Sequence, residues 1–370
     1  MNFSVFFFIP SKSAGYLAAF LALAISCNNS SKGPSLQQSN KPKHQKIFYL
    51  ESPILDDVYQ INDTLHFTIK ERKNITHVDS TIVSVDGKPV RSETGSPLAF
   101  LSLNDFFKVG RQNIRIRIFY NDSLSEILTT RITLLSDFVP QKLKYRKIRE
   151  IPHDENSFTQ GLFYHQGFLY EGTGREGKSK LMKIDPADGK ILRERKLEED
   201  IFGEGITCYK NQIFQLTYRE KIGFVYDLAT FDRIREFDLQ TAEGWGLTNN
   251  EAQLIVSDGS SFLYFYHPEF FNQVNQLDVC TDQSLITGLN ELEYINGSVW
   301  ANVYGRKHLV RIDAISGRVT GILDLSTLFP REIPEDYEHV LNGIAYNSDT
   351  HTFFITGKLW PAIFEISIYE

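Results

Sequence analysis

The chain has 370 residues and a formal net charge of −7, and 42% of its residues are hydrophobic. This length allows a sizeable core and more than one domain. The 28 Phe and 17 Tyr, against 2 Met, favour β-structure, and the lack of a long basic run argues against nucleic acid as a partner.

The first 27 residues are predicted to be a signal peptide. The apolar run YLAAFLALAI, residues 16–25, is too short to span a bilayer, which takes roughly 20 residues. It leads into AISC, whose small residues before Cys27 resemble a bacterial lipobox. Lipidation of Cys27 would make the protein an exported bacterial lipoprotein, periplasmic or membrane-anchored, and an ordinary cleaved signal is the alternative. The polar residues 28–45 are predicted to be a flexible tether.

Residues 46–137 are predicted to form a small immunoglobulin-like β-sandwich. The segments DTLHFTIK and NIRIRIFY alternate apolar and polar residues, and VDGK contains the Asp-Gly pair of a hairpin turn. Strands with such closely spaced turns are typical of a sandwich. No reactive constellation is visible there, so a spacer or docking module is expected, followed by a linker at 138–144.

Five segments of residues 145–370 resemble one another. They begin TQGLFYHQGFLYEGTG, GEGITCYKNQIFQLTY, GWGLTNNEAQLIVSDG, LNELEYINGSVWANVY and LNGIAYNSDTHTFFITGK. One position in the first strand of each copy serves as an anchor, and the anchors are Gln160, Glu204, Trp245, Asn290 and Asn342. Their separations are 44, 41, 45 and 52 residues, the range typical of a propeller blade.

The repeat predicts an all-β chain with a five-bladed β-propeller at 145–370. Each copy supplies up to four strands, and the fifth copy ends after its third strand, AIFEISIYE. The segment KYRKIREI, residues 144–151, precedes the first copy and is predicted to supply the missing outer strand. Such closure removes the open sheet edges.

The first strand of each blade lines the central channel, so the five anchors should face one another. A purely structural ring would favour similar residues, whereas these differ in charge and shape, which indicates a binding site. Equivalent positions add aromatic and charged groups to the channel mouth: Phe158, Phe202, Glu243, Tyr218, Tyr304 and Lys358. The structural alternatives are blade packing for the phenylalanines, surface positions for the tyrosines and a structural ion pair for Lys358. Glu204 could be a rim charge, and Asn290 and Asn342 could satisfy backbone groups, the reading favoured for Asn342.

At these residues the sequence resembles the plant and bacterial type of glutaminyl-peptide cyclotransferase, a five-bladed propeller family. The segments FTQGL, FGEGIT, EGWGLT, LNELEY, LNGIAY and TGKLWP match in order, across roughly 145–370. The resemblance implies cyclisation of N-terminal glutamine to pyroglutamate with release of ammonia. It places the catalytic acid at Glu204 and the pocket at Phe158, Gln160, Phe202, Trp245, Asn290 and Lys358. Tyr218 and Tyr304 depart from the family, which commonly has tryptophan there.

These residue types suit the chemistry that the resemblance implies. A carboxylate at Glu204 can take a proton from the attacking amine, whose pKa is near 8, and pass it to the leaving nitrogen. Lys358, Gln160 and Asn290 are candidate donors to the carbonyl oxygen as it gains negative charge. Trp245 is expected to stack on the substrate.

The scheme requires no metal and no cofactor, and the sequence shows no metal-binding motif. The expected partners are peptides or proteins with N-terminal glutamine, and the membrane through a lipid anchor, with the protein a monomer. Cys208 and Cys280 are compatible with a disulfide or with buried free thiols. The alternative function is a non-catalytic, surface-tethered propeller that binds a ligand or protein. A propeller lyase or hydrolase acting on another substrate is a third possibility, and the absence of His and metal ligands near the anchors argues against it.

Overall fold

The computed structural model describes residues 46–72, 77–96, 100–104, 106, 108–328, 330, 334 and 336–370. The predicted signal peptide, Cys27 and the predicted tether lie outside these residues. Regular structure in the described residues is all β apart from one 3-10 turn at Ser326–Leu328. None of the described residues forms a helix with the length and apolarity needed to cross a membrane.

Nine strands precede the repeat region. They are β1 Phe48–Ser52, β2 Asp57–Gln60, β3 Thr64–His66, β4 Thr68–Glu71, β5 Val78–Val85, β6 Lys88–Thr94, β7 Phe100–Ser102, β8 Gly110–Tyr120 and β9 Leu124–Leu135. One five-stranded sheet has the order β2-β9-β8-β5-β6, and the pairs β1-β4 and β3-β7 form two small sheets.

A single apolar core joins these sheets. Along β8, every second side chain is buried, including Ile114, Ile116 and Ile118, the alternation expected for a sheet with one covered face. Phe48 of β1 and Leu65 of β3 pack into the same core from the small sheets. In the N-terminal part, the two small sheets therefore cover one face of the five-stranded sheet. Its immunoglobulin-like class stays a prediction.

Strands β10–β29 form the repeat region. Their bounds are β10 Gln141–Pro152, β11 Thr159–His165, β12 Phe168–Thr173, β13 Lys180–Ile184, β14 Ile191–Lys196, β15 Gly203–Tyr209, β16 Gln212–Thr217, β17 Ile222–Asp227, β18 Arg233–Asp238, β19 Leu247–Asn249, β20 Leu254–Ser257, β21 Phe262–Tyr266, β22 Gln273–Asp278, β23 Leu289–Ile295, β24 Ser298–Val303, β25 His308–Asp313, β26 Val319–Asp324, β27 Leu341–Asn347, β28 Thr352–Gly357 and β29 Ala362–Tyr369.

These strands make the five predicted blades. The first four blades are β11–β14, β15–β18, β19–β22 and β23–β26, each a chain of antiparallel neighbours. The fifth consists of β27, β28, β29 and β10. In β10, Lys144 pairs with Tyr369 and Pro152 with Ala362, which confirms that the segment at 144–151 supplies the outer strand.

Strand β10 begins earlier than the sequence suggested. Gln141–Leu143 pair in parallel with Gly321–Leu323 of β26, so part of the predicted linker at 138–144 belongs to a strand. The buried side chain of Leu143 packs with Leu309 and Leu323. Its burial against blade four is the physical reason for the difference.

The N-terminal sheets pack against β22, the outer strand of blade three, and against the β25–β26 turn of blade four, where Val109 N donates to Ser316 O at 2.9 Å. Arg111 Nε and Nη2 each lie 2.8 Å from a carboxylate oxygen of Asp278, which is only 4% exposed. Cys280 is buried in the N-terminal core, and its thiol and that of Cys208 are both free. The two parts therefore share an apolar and ionic interface.

Candidate active site

The anchors Gln160, Glu204, Asn290 and Asn342 lie on the first strands of blades one, two, four and five, and Trp245 lies just before β19. The four polar anchors are at most 4% exposed. The glycine after an anchor lets the next blade approach closely. A Cβ on Gly205 would lie 2.6 Å from Leu247 N and Trp245 O, and a Cβ on Gly246 would lie 1.9 Å from Asn290 O.

A chain of amide hydrogen bonds leads to Glu204. Asn342 Nδ2 donates to Thr159 O at 2.9 Å and to Gln160 Oε1 at 3.3 Å. Gln160 Nε2 in turn donates to Glu204 Oε1 at 3.0 Å. Asn342 thus satisfies a backbone carbonyl, as predicted, and it also fixes which end of the Gln160 amide faces the carboxylate.

The Glu204 carboxyl group sits in a strongly perturbing environment. Burial raises the pKa of Glu204 well above its usual range; the Lys358 ammonium opposes this shift, and the Glu220 and Glu243 carboxylates add to it. A carboxyl group with a raised pKa is suited to both accepting and donating a proton near neutral pH.

Lys358 follows β28 and is 5% exposed. Its Nζ lies 4.6 Å from the centre of the Phe158 ring and 5.6 Å from that of Tyr304. Burial lowers the pKa of Lys358 to about 8; Glu204 opposes this shift, and Arg175 adds to it. The ammonium is therefore stabilised mainly by cation–π contacts with two rings, which attract the positive charge but do not cancel it as a carboxylate would.

The predicted aromatic residues form two groups around these charges. Phe202 lies 6.3 Å from Phe158 and 5.5 Å from Tyr218, measured between ring centres. Trp245 makes an edge contact with Tyr304 at 5.6 Å. Because Lys358 touches one ring of each group, the structure brings all five aromatic residues to the same site.

The Trp245 indole is held at both ends. Its Nε1 donates to Glu243 Oε2 at 3.0 Å, and Glu243 also pairs with Arg219 at 2.8 Å. On the other side, a Cβ on Gly259 would lie 2.7 Å from the indole ring. Burial works against ionisation of Glu243, but its bonds to Arg219 and Trp245 outweigh it, so the pKa of Glu243 is lowered.

The Asn290 side chain has a polar atom without a partner. Its side chain is 3% exposed and its Oδ1 has no hydrogen-bond partner among the described residues. The following residue, Glu291, replaces the glycine found after the first three anchors. Its carboxylate crosses the channel and accepts hydrogen bonds from Leu162 N at 3.1 Å and Ile344 N at 2.8 Å. Blade four is thereby joined to blades one and five.

A buried pair of His153 and Glu171 links blade one to the Trp360 turn of blade five. His153 Nδ1 lies 2.7 Å from Trp360 O, and its Nε2 lies 3.1 Å from both oxygens of Glu171. Glu171 also accepts a hydrogen bond from Thr159 at 2.7 Å. Burial disfavours the imidazolium, but Glu171 and the Trp360 carbonyl outweigh it, so the pKa of His153 is raised.

Sequence reasoning missed Arg175, Glu220 and Glu338 at the channel mouth. The Arg175 guanidinium lies 4.3 Å from the Phe158 ring centre and 3.0 Å from Glu338. Arg175 follows Gln160 by the 15 residues that separate Arg219 from Glu204, so the repeat register contained a signal for it. Glu338 lies in a connection between blades that the repeat does not cover.

Among the described residues, one group with metal-ligand atoms lies outside the propeller, and the sequence spacing gave no sign of it. Atoms of His77, Asp79 and Asp122 come within 4.8 Å of one another on the N-terminal sheet. The His77 Nε2 lies 2.7 Å from Asp79 and 3.2 Å from Asp122. This geometry is that of a surface ion-pair cluster.

Comparisons with known proteins identify the family of the chain. The family model described as glutamine cyclotransferase matches residues 124–368. A glutaminyl-peptide cyclotransferase of Arabidopsis thaliana is 38% identical over 226 residues, which are 60% of this chain and 71% of that protein. The crystal structure of Myxococcus xanthus glutaminyl cyclase matches with a TM-score of 0.58 and 33% identity, over 62% of this chain and 98% of that one. The chain belongs to the glutamine cyclotransferase family.

Proposed function

We propose that this cyclotransferase converts the N-terminal glutamine of peptides and proteins to pyroglutamate, with Glu204 moving the proton between two nitrogens. The α-amine attacks the side-chain amide carbon, a new C–N bond closes the ring, and the old C–N bond breaks to release ammonia. The observation that carries the proposal is a buried carboxyl with a raised pKa inside an aromatic channel.

Glu204 handles the proton in two stages. The substrate ammonium, with a pKa of roughly 8 in solution, first loses one proton to solvent and becomes the nucleophilic free amine. As the amine attacks, its nitrogen becomes positively charged and passes a second proton to the Glu204 carboxylate. Glu204 then returns that proton to the amide nitrogen, which leaves as neutral ammonia. A folded glutamine supplies the proximity, so the enzyme needs to provide mainly orientation and proton transfer.

Lys358 is the proposed donor to the carbonyl oxygen as this atom gains negative charge. Its ammonium is buried, faces two aromatic rings and has no ion pair among the described residues. Gln160 is already committed, since its oxygen accepts from Asn342 and its nitrogen donates to Glu204. We assign Gln160 the role of orienting Glu204, and Asn290 a polar contact to the substrate through its unpaired Oδ1.

The aromatic residues are proposed to enclose the glutamine. Phe158, Phe202 and Tyr218 form one wall, and Trp245 with Tyr304 forms the other. The Trp245 ring is fixed by Glu243, so its face is available for stacking. Excluding water in this way strengthens the electrostatic action of Glu204 and Lys358 on the reacting atoms.

The test is the Glu204→Gln variant assayed with a Gln-initiated peptide, following ammonia and pyroglutamate. The amide keeps the size of the side chain but cannot take a proton, so we expect kcat to fall by about 10²–10⁴-fold. Glu220→Gln is the matched control, because Glu220 is another carboxylate of the mouth, and its kcat should change far less. A Glu204→Gln enzyme with wild-type kcat would disprove the proton transfer.

The cellular setting is a separate proposal. The apolar run, the AISC sequence ending at Cys27 and the polar segment 28–45 support an exported, lipid-anchored protein. The N-terminal sheets would then act as a spacer or docking module, with the enzyme a monomer. Metabolic labelling with a radioactive fatty acid, lost in Cys27→Ser, tests the anchor; unlabelled wild-type protein would indicate an ordinary cleaved signal.

A further inference from the structure

A second concave surface adjoins the catalytic channel. It has a volume of about 350 Å³, and we call it the Arg175 cleft. Ser157 and Leu359 in its wall are the chain neighbours of Phe158 and Lys358, and Leu359 N donates to Ser157 O at 2.8 Å. Its charged lining residues are Arg175, Lys178, Lys180, Lys196 and Asp154.

The charge of this lining is mainly positive. Lys180 pairs with Glu194 at 3.3 Å, where both side chains are partly exposed. Lys178 and Lys196 have no ion pair within the described part of the chain and are exposed. Although the whole protein carries a net charge of −7, four cations and one carboxylate meet here. A local field of this kind attracts an anion.

Arg175 has two features that its pairing with Glu338 does not explain. Its backbone φ is +82°, a conformation that costs a non-glycine residue about 1 kcal/mol or more. Its Nη2 is shielded from solvent and lies 3.0 Å from Glu338 Oε1, but at an angle that makes no hydrogen bond. A guanidinium donor is thus held, in a strained backbone, without a well-aligned acceptor.

The distance from Arg175 to the reaction is short. The Lys358 Nζ and the Arg175 Cζ lie 4.6 Å and 4.3 Å from the same Phe158 ring centre. The two cations are therefore at most about 9 Å apart, which two to three residues of extended chain can span. A peptide whose glutamine lies beside Lys358 can reach the cleft with its second or third residue.

We propose that the Arg175 cleft is a subsite for the carboxylates of residues that follow the N-terminal glutamine, so that the enzyme prefers acidic peptides. The carboxylate would accept from Arg175 in place of Glu338, which is exposed and easily displaced. The ligand group can be an Asp or Glu side chain or a free peptide C-terminus. This inference rests on the substrate orientation proposed above.

The experiment compares matched peptides on the full-length enzyme. Gln-Glu-amide and Gln-Gln-amide differ only by a carboxylate, as do Gln-Ala-Glu-amide and Gln-Ala-Gln-amide, and Gln-Ala is compared with Gln-Ala-amide to test the free C-terminus. We expect kcat/KM for the acidic member to be roughly threefold to tenfold higher, between the values for an exposed ion pair and a buried charged hydrogen bond. The ratio of kcat/KM for the acidic peptide to kcat/KM for its amide counterpart should fall with added salt.

Variants identify the group responsible for the ratio. Arg175→Gln should bring the ratio close to one. Arg175→Lys should retain part of the preference for the acidic peptide, because lysine keeps the positive charge but lacks the paired N–H donors of the guanidinium. Glu338→Gln should raise the ratio, because the competing carboxylate is gone. Arg306→Gln is the matched control: Arg306 is an exposed cation two residues after Tyr304 and outside the lining of the Arg175 cleft, and its loss should leave the ratio unchanged.

Two outcomes would overturn the inference: a wild-type ratio near one for every pair, or a ratio that survives Arg175→Gln. Arg175→Gly separates binding from stability, because glycine adopts a positive φ without strain. This variant should lose the preference for acidic peptides without losing thermal stability. The ratio compares two peptides on one enzyme, so it does not depend on which residue moves the proton. An error in that assignment would appear in Glu204→Gln and not in this ratio.

Discussion

Glu204 and Lys358 perturb one another less than burial perturbs either of them. Both are at least 95% buried, and each favours the charged form of the other while desolvation disfavours it. The pKa of Glu204 is therefore raised towards that of an α-amine, and the pKa of Lys358 is lowered. Proton transfer between the substrate amine and Glu204 then needs little driving force.

The pH dependence of catalysis follows from the Lys358 environment. Lys358 is cationic below its pKa of about 8 and neutral above it, so a donor to the oxyanion is lost as the pH rises through 8. Arg175 is one cause of that lowered pKa. Arg175→Gln should therefore move the alkaline limb of kcat/KM to higher pH for a neutral peptide.

The measurement is a pair of pH–rate profiles with the same peptide, so that the titration of the substrate amine is common to both. Arg306→Gln, which removes a cation that is not among the causes of the Lys358 shift, serves as the control. An alkaline limb that stays in place in Arg175→Gln would show that Lys358 does not control it.

The site was predictable to the extent that the repeat fixes its register. Glu204 and Lys358 could be placed in the channel because their positions are counted from the blade repeat. The sequence did not show that Gln160 points its nitrogen at Glu204, because that orientation depends on the Asn342 hydrogen bond. Glu338 could not be predicted as a site residue, because the connection in which it lies has no counterpart in the other blades.

At the scale of the blades, glycine and glutamate connect neighbouring strands in different ways at the repeat position that follows the anchor. Gly161, Gly205 and Gly246 let backbones of adjacent blades touch, whereas Glu291 spans a gap with its side chain. The sequence showed the five blades because each repeats the same strands. It did not show the role of Glu291, which depends on which strand lies across the channel.

Gly205→Ala should be severely destabilising. Its Cβ would lie 2.6 Å from two backbone atoms of blade three, and backbone cannot rotate away as a side chain can. We expect a loss of about 3 kcal/mol in the free energy of unfolding, at the upper end for overpacking. Denaturant titration measures this loss.

Gly297→Ala provides the comparison for that measurement. Gly297 has a φ of +86° but open space around its Cβ, so only the backbone term of about 1–2 kcal/mol applies. If Gly205→Ala proved the milder change, the close approach between blades two and three would not be the constraint that the geometry implies.

At the scale of the whole molecule, the N-terminal sheets and the propeller are joined by residues far apart in sequence. Arg111 and Asp278 are separated by 167 positions, and neither belongs to a motif. Their pairing was therefore not visible in the sequence, although both groups of strands were. The Cys280 thiol lies in the apolar part of the same interface.

Asp278→Asn should loosen this interface. The substitution leaves the Arg111 cation without its carboxylate, and we expect a cost of about 2–4 kcal/mol, below the full value because Arg111 is partly exposed. Cys280 should then react faster with a thiol reagent, whereas Cys208, in blade two, should keep its rate. Asp56→Asn, which breaks the exposed pair with Arg131, should change neither rate.

Strand β10 also determines when the propeller ring can close during folding. Its residue Lys144 pairs with Tyr369, and its residue Pro152 with Ala362, so the contact that closes the ring joins segments more than 200 residues apart. Such contacts come late in folding, because a long loop must be ordered before any pairing energy is gained. During synthesis, β10 leaves the ribosome before all four other blades and must wait for β29. Until then the edge of Lys144–Pro152 is unpaired, and a nascent chain at that stage is open to mispairing with a second copy.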